Sequence, residues 1–171
     1  MVKFKWTVIC LVLCTISCSS PQSKFEFLSQ QDSVLFSFQG HQVESIKDTS
    51  YSIGQGPDST ARTKAIDLYI DENIASELSK VRGEFFGGTF LITLADGRSV
   101  AVRIRDVFMS DAWLCPSISA ERNRLFMPEP GGPLKISWFD LPESKYDSEC
   151  RERVQQMREV FQSIKTEVGN R

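Results

Sequence analysis

The sequence predicts an α+β fold, in which a mainly antiparallel sheet with a βαββ unit is followed by a long C-terminal helix. The first observation is an apolar–polar alternation in AIDLYI and in GTFLITLADGRSVAVRIRDV, which is typical of half-buried strands. The second is an apolar residue at every third or fourth position near the C-terminus, which is typical of an amphipathic helix. These two periods predict strands and helices that share one core.

A short apolar leader precedes the predicted fold. Lys3 and Lys5 are followed by an uncharged run from Thr7 to Ile16. This run is too short for a transmembrane helix, which needs roughly 20 apolar residues. It fits the apolar region of a signal peptide, so we assign residues 1–17 to a signal peptide and exclude them from the fold.

Cys18 directly follows this leader. Thr15 and Ser17 are small residues at the third and first positions before it, so cleavage by a general signal peptidase is one alternative. The same stretch resembles a bacterial lipobox, in which small or apolar residues precede a cysteine that is acylated and then exposed by cleavage. Thr15 stands where that motif usually has Leu. Cleavage by a general signal peptidase predicts a freely secreted or periplasmic protein. A lipobox predicts a lipid-anchored protein.

The number of cysteines favours the lipid anchor. Two of the five cysteines leave with the leader, and the exported chain keeps Cys18, Cys115 and Cys150. An unmodified Cys18 would leave an odd thiol in an oxidising compartment, whereas a lipidated Cys18 leaves an even pair. We therefore predict lipidation of Cys18.

The predicted anchor also indicates a location and a domain boundary. Ser19 after the cysteine resembles the signal for outer-membrane sorting, so we expect an outer-membrane lipoprotein that faces the periplasm. Residues 18–23 are small and polar and are interpreted as a tether. Residues 24–171, about 150 in number, are enough for a single α+β domain with its own core.

The exported chain is mildly acidic. Loss of Lys3 and Lys5 with the leader lowers the basic count from 20 to 18 against 22 acidic side chains, a formal charge of −4. Nucleic-acid binding depends on a basic surface that neutralises phosphates, so the charge argues against a nucleic-acid partner.

The first half of the predicted domain contains strands and one short helix. KFEFL (24–28) and SVLFSFQ (33–39) alternate as strands do, and residues 52–62 have the composition of a loop. After the strand AIDLYI, Asp71 is a predicted N-cap and Gly83 a predicted helix stop. Apolar residues between them fall on one helical stripe at Ile74, Leu78 and Val81.

A hairpin is predicted from Gly88 to Val107. A two-residue Asp96-Gly97 loop would set apolar side chains opposite small ones. A three-residue loop, 95–97, places the apolar residues on one face and puts Gly97 where a left-handed backbone is preferred. We therefore predict the three-residue loop. The residues gathered on the buried face are Phe90, Ile92, Leu94, Val100, Val102 and Ile104.

The second half contains a further strand and the long helix. RLFM (124–127) is interpreted as a short strand, and PLKISWFDL (133–141) as a strand at the sheet edge because Pro133 opens it. The helix is predicted to begin near Asp147 or Ser148 and to end at Gly169. Its predicted buried stripe comprises Cys150, Val154, Met157, Phe161, Ile164 and Val168.

The pattern of residues 38–107 resembles the periplasmic head region of the SecD subunit of bacterial protein export. The matching segments are FQGHQVESIKD, IDLYIDENIASELSKV, GGTFLITLADG and SVAVRIRDV. The family follows its Asp-Gly strand with a Ser-Ala-Pro element, which this chain lacks. The resemblance implies a βαββ core and does not by itself imply an export function.

Few polar residues form a chemically specific set. Cys115 and Cys150 lack Cys-x-x-Cys spacing and are predicted to form a structural disulfide. His41 is the only histidine and lacks a nearby nucleophile motif, so we predict no catalytic triad and no metal site. Asp106 and Asp111 flank the end of the hairpin and are interpreted as solvated turn residues, with an acid–base pair as the alternative.

Four aromatic residues are candidates for a binding surface. Trp113, Phe85, Phe86 and Trp138 are interpreted as core residues or, where exposed, as partner-binding residues. We expect an exported, lipid-anchored, non-enzymatic envelope protein that binds another protein or an envelope component and needs no cofactor. A narrower version is an inhibitor or immunity-type protein. The alternative is a small envelope hydrolase or transferase that uses carboxylates near Asp106 and Asp111.

Overall fold

The computed structural model describes residues 22–52, 62–81, 85, 87–106, 115–121, 124–125, 132–139 and 148–169. The strands are β1 (Lys24–Leu28), β2 (Val34–Gln39), β3 (Val43–Ser52), β4 (Arg62–Ile70), β5 (Thr89–Thr93), β6 (Ser99–Asp106), β7 (Ser117–Glu121), β8 (Arg124–Leu125) and β9 (Leu134–Phe139). The helices are α1 (Glu72–Lys80) and α2 (Ser148–Gly169), and a short 3₁₀ turn spans Gly40–Gln42. The predicted α+β class with a long C-terminal helix is confirmed.

Within these described residues, nine strands form one sheet. Eight of them follow the order β2-β1-β5-β6-β7-β9-β4-β3, and β8 pairs with β7 outside this order. The neighbours are antiparallel except for β6 and β7, which run parallel. The predicted βαββ unit is present along the chain as β4, α1, β5 and β6, although β7 and β9 lie between β4 and the β5–β6 hairpin in the sheet.

The hairpin between β5 and β6 has the predicted three-residue loop. Thr93 pairs with Ser99, and the Leu94 amide donates to the Arg98 carbonyl at 2.8 Å. Gly97 has a φ of 87°, a conformation that glycine adopts without a steric penalty. The Asp96 carboxylate accepts hydrogen bonds from the Arg98 backbone amide and guanidinium, and these bonds hold the pKa of the exposed Asp96 below its ordinary value.

The core lies between the predicted apolar face of this hairpin and the predicted stripe of α2. All six apolar residues predicted for the hairpin face are buried. Five of the six predicted stripe residues of α2 are buried as well, and Val168 is half-buried at the end of the helix. Both periodicities therefore identified the surfaces that pack together.

Helix α1 begins as predicted. The Asp71 carboxylate accepts hydrogen bonds from the amides of Asn73 at 2.9 Å and Ile74 at 3.3 Å, so it caps two amides that have no partner inside the helix. The helix ends at Lys80, with Val81 as its cap. The predicted stop at Gly83 and most of the predicted loop 52–62 lie outside the described residues.

Two expectations about the other strands need revision. β9 lies between β7 and β4, so the prediction of an edge strand is wrong. Pro133 lies just before the first residue of β9, and its missing amide therefore removes no ladder hydrogen bond. Strand β3 was not predicted at all. The first two residues of RLFM form β8, and the other two lie outside the described residues.

The C-terminal half of α2 contacts β3 and the start of β1. Lys165 forms an ion pair with Asp48 of β3, and the Ser23 hydroxyl donates to the Glu167 carboxylate at 2.6 Å. The Gly40 amide donates to the Ser23 carbonyl at 2.6 Å. A Cβ atom on Gly40 would lie 2.7 Å from a Glu167 carboxylate oxygen, so glycine permits this close approach. These contacts join the start of β1, the 3₁₀ turn and the end of α2.

Candidate functional site

Several predicted site residues lie outside the described part of the chain. These are Cys18, Trp113, Phe86 and Asp111. Asp106 is the last residue of β6, but its side chain is not among those that the structure describes. The proposed acid–base pair of Asp106 and Asp111 therefore stays a prediction.

The other two aromatic candidates are core residues. Phe85 is 1% exposed and Trp138 is 3% exposed. Phe85 packs edge-on against Phe27, with ring centroids 6.2 Å apart. Neither side chain offers a surface to a partner, which agrees with the interpretation of these aromatics as core.

His41 and the two body cysteines have structural surroundings. The His41 Nδ1 atom lies 2.7 Å from the Gln22 side-chain oxygen, which links the 3₁₀ turn to the residues before β1. Cys115 and Cys150 lie at disulfide distance, with Cα atoms 5.1 Å apart, which is compatible with a disulfide bond. Within the described residues, no cluster of three or more metal-ligating side chains is present, and no helix is long and apolar enough to span a membrane.

A partly buried charged pair lies on β4 and β9. Asp67 is 5% exposed, and its Oδ1 atom is 3.5 Å from the Lys135 ammonium group, its cross-strand neighbour. Among the described residues, neither this oxygen nor the buried hydroxyl of Thr63 has a hydrogen-bond partner. An opposite charge directly across two strands favours one register, so we interpret the pair as a structural contact between β4 and β9.

The two edges of the sheet differ in charge, and this difference identifies the candidate site. Edge strands in soluble proteins are normally protected by charged residues, proline or a covering element. Strand β3 follows this rule, because Lys47 and Asp48 lie in its middle and Asp48 is paired with Lys165 of α2. Strand β2, with the sequence VLFSFQ, carries no charged residue and no proline.

The β2 edge also exposes apolar surface. Val34 is 55% exposed and is the one large hydrophobic side chain that is exposed among the described residues. Leu35 and Phe36 are partly buried against the core. Among the described strands, β2 pairs only with β1. The other side of β2 therefore presents backbone amide and carbonyl groups beside an uncharged, partly apolar row of side chains.

A β-bulge shapes this edge. Phe36 pairs with Phe27 and Val34 pairs with Leu28, so Leu35 is the extra residue that has no partner on β1. A bulge bends the strand and increases its local twist. The regular part of the edge is therefore Phe36–Gln39, and the exposed Val34 lies beyond the bulge.

Aromatic packing on the core face of β2 holds this strand in place. The rings of Phe38 and Phe25 are stacked, with centroids 4.7 Å apart and an interplanar angle of 2°. Phe36 contacts the same group, with its centroid 6.5 Å from that of Phe38. Phe27 and Phe90 continue the cluster at 4.6 Å. The side chains of β2 that point inward therefore fix the strand that presents the edge.

Both ends of β2 are also fixed by hydrogen bonds. In the preceding turn, the Ser29 hydroxyl lies 2.7 Å from the Ser33 hydroxyl and accepts the Ser33 amide at 3.2 Å. At the other end, the Gln39 amide donates to the Gln42 side chain at 2.8 Å. The edge is thus preformed before any partner binds.

Comparison of the chain with known proteins does not assign this edge a function. No family model, curated protein or solved structure matches this chain. The resemblance to SecD therefore stays a prediction, and the leader and the β2 edge are the features that bear on function.

Proposed function

We propose that this chain is an exported, lipid-anchored, non-enzymatic envelope protein that binds another protein by adding an extended segment of that protein to β2. The leader and Cys18 support export and anchoring. The uncharged and exposed edge of β2 is the observation that carries the binding mode. Binding by strand addition is an established way in which sheets recognise extended segments.

The contrast between the two edge strands supports a role of β2 in binding a partner, rather than exposure of β2 without a function. An unprotected edge is a template for pairing with other chains, so it is a liability unless a specific partner covers it. Of the two edge strands in the described part of the chain, β2 lacks charged residues, whereas β3 carries Lys47 and Asp48, and Asp48 is paired with Lys165 of α2. A lysine or glutamate in β2 would have removed the liability without altering the core.

The structure of β2 also favours affinity. Binding of an extended segment costs less when one of the two strands is already ordered. Phe38 is 2% exposed and stacked on Phe25, so β2 does not have to order itself on binding. Backbone hydrogen bonds along the edge would supply affinity, and the side chains at alternating positions would supply specificity.

The side chains around the edge indicate the chemistry of the partner segment. Val34 and the partly exposed Leu35 and Phe36 are apolar, and Ser37 and Gln39 are neutral. An extended, uncharged segment with apolar residues at alternate positions fits this surface, because charges placed against it would lose water without gaining a partner.

A photo-crosslinking experiment tests this proposal. p-Benzoylphenylalanine replaces Val34 in one variant and Ala101 in a control. Ala101 is also exposed but lies on the interior strand β6. We expect the Val34 probe, and not the Ala101 probe, to crosslink to one partner protein in intact envelopes.

A peptide copied from the crosslinked segment should then bind, and Val34→Lys should weaken its binding about tenfold or more because a charge would be buried. Ala101→Lys should leave binding unchanged.

Two further results complete this test. Methylation of the alternate backbone nitrogens that face β2 should abolish binding, because strand addition depends on these donors. Retained binding by the methylated peptide would exclude strand addition. Crosslinking of Val34 to a second copy of this chain would contradict a heterologous partner and identify β2 as a dimer interface.

A further inference from the structure

The short chain distance between Cys18 and the buried Ser23 constrains how an anchored body lies on a membrane. Ser23 is fully buried, and four residues separate it from Cys18. Five Cα steps span at most about 18 Å when fully extended. If Cys18 is lipidated, as the proposed function requires, Ser23 lies within that distance of the lipid surface.

Ser23 belongs to one defined end of the sheet. Lys24, the next residue, pairs with Gln39 of β2 and with Thr93 of β5. The same end therefore carries the 3₁₀ turn Gly40–Gln42 and the hairpin loop 95–97. The opposite end carries the turn 29–33, because Leu28 pairs with Val34 and with Thr89. We call the end with Ser23 the proximal end and the end with turn 29–33 the distal end.

Gln22 and Ser23 are held at the proximal end by hydrogen bonds. Ser23 accepts the Gly40 amide and donates to Glu167, both at 2.6 Å. Gln22 lies 2.7 Å from His41. The tether therefore cannot gain length by peeling Ser23 away without breaking buried contacts.

The tether is too short to let the distal end face the membrane freely. Strand β1 alone separates the two ends by roughly 14 Å, because each residue of a strand advances about 3.4 Å. A distal-end contact would use nearly the whole extended length of the tether along the side of the sheet. This geometry leaves the tether almost no conformational freedom, which is entropically costly.

We infer that the anchored protein faces the lipid headgroup surface with its proximal end, formed by the 3₁₀ turn Gly40–Gln42 and the hairpin loop 95–97. The tether, rather than charge, imposes this orientation. Among the described residues of that end, Asp96 forms an ion pair with Arg98, and Lys24 forms one with Glu26. A body with a formal charge of −4 gains no attraction from an anionic lipid surface.

This orientation has a consequence for the proposed partner site. Strand β2 runs from Val34 at the distal end to Gln39 at the proximal end. The exposed Val34 therefore points away from the membrane, where the extended segment of another envelope protein reaches it without competing with lipid.

The test uses the full lipidated chain in vesicles of phosphatidylethanolamine and phosphatidylglycerol. A fluorophore is attached through Ala95→Cys in the proximal loop or through Gln31→Cys in the distal turn, both of which are exposed turn positions. The protein without an added cysteine gives the background labelling. We expect a nitroxide on the lipid headgroup to quench the proximal label several-fold more than the distal label.

The outcomes separate this inference from the proposed anchoring. Equal quenching at both positions, or stronger quenching at position 31, in protein that sediments with the vesicles would overturn the orientation alone. If the chain does not sediment with the vesicles, or if Cys18→Ser sediments equally well, the lipid anchor itself is contradicted. Stronger proximal quenching that disappears with Cys18→Ser would support both.

Discussion

Phe90→Ala is expected to lower the free energy of unfolding by about 3 to 5 kcal/mol. Phe90 is fully buried on β5, and its ring lies 4.6 Å from that of Phe27 and 6.1 Å from that of Phe25. Truncation removes these contacts and leaves a cavity between two paired strands. Denaturant unfolding followed by circular dichroism measures the loss.

Phe36→Ala is the matched control for this substitution. Phe36 belongs to the same aromatic cluster, but it is only partly buried because it lies on the edge strand β2. Its truncation should therefore cost clearly less than that of Phe90. Equal losses for the two variants would contradict the placement of the core on the inner face of β1, β2 and β5. Phe90→Leu keeps the comparison possible if the alanine variant does not fold.

Removal of the predicted disulfide is expected to produce the second large effect. Replacing both Cys115 and Cys150 by Ala should lower the free energy of unfolding by about 3 to 4 kcal/mol, because the crosslink restricts the unfolded chain. The two residues are 35 positions apart, and Cys150 is buried in the first turn of α2. The measurement is denaturant unfolding of the variant under oxidising conditions.

Reduction of the unmodified protein provides the control for this prediction. A reducing agent should destabilise the parent chain by a similar amount and should not affect the double alanine variant. The disulfide would be refuted if the parent chain unfolds at the same denaturant concentration with and without reductant. A loss seen only in the alanine variant would indicate packing rather than a crosslink.

Elements with a strong local period could be predicted from the sequence. Apolar residues recur at every second position along the hairpin from Phe90 to Ile104 and at every third or fourth position along α2. They are buried as predicted, except for the half-buried Val168 at the end of α2. The loop of the hairpin was also predictable, because only the three-residue loop places all of its apolar residues on one face. In these cases one residue pattern determines both the element and its buried side.

Elements that depend on distant pairing were not predictable in the same way. Strand β3 lies at a sheet edge, and its sequence VESIKDTSYS has few apolar residues because much of it faces solvent. Strand β7 is short and contains small residues, and its parallel pairing with β6 joins segments that are not a hairpin. The misplacement of β9 at an edge has a related cause, since the position of a strand within a sheet is not encoded in its own residues.

The candidate site illustrates the same distinction. The absence of charge in VLFSFQ is visible in the sequence, but it has a meaning only once β2 is known to lie at an edge. The sequence directed attention instead to Phe85 and Trp138, which the fold buries. Large aromatic residues are common both in cores and in interfaces, so residue type alone does not separate the two.

The intact mass of the protein extracted from membranes without a reducing agent tests the central claim most directly. We predict a mass equal to the chain from Cys18 to the C-terminus plus acyl groups, less two hydrogens for Cys115 and Cys150. Treatment with a reductant should add these two hydrogens back. A soluble product without acyl groups, or one that begins at a residue other than Cys18, would contradict a lipid-anchored envelope protein.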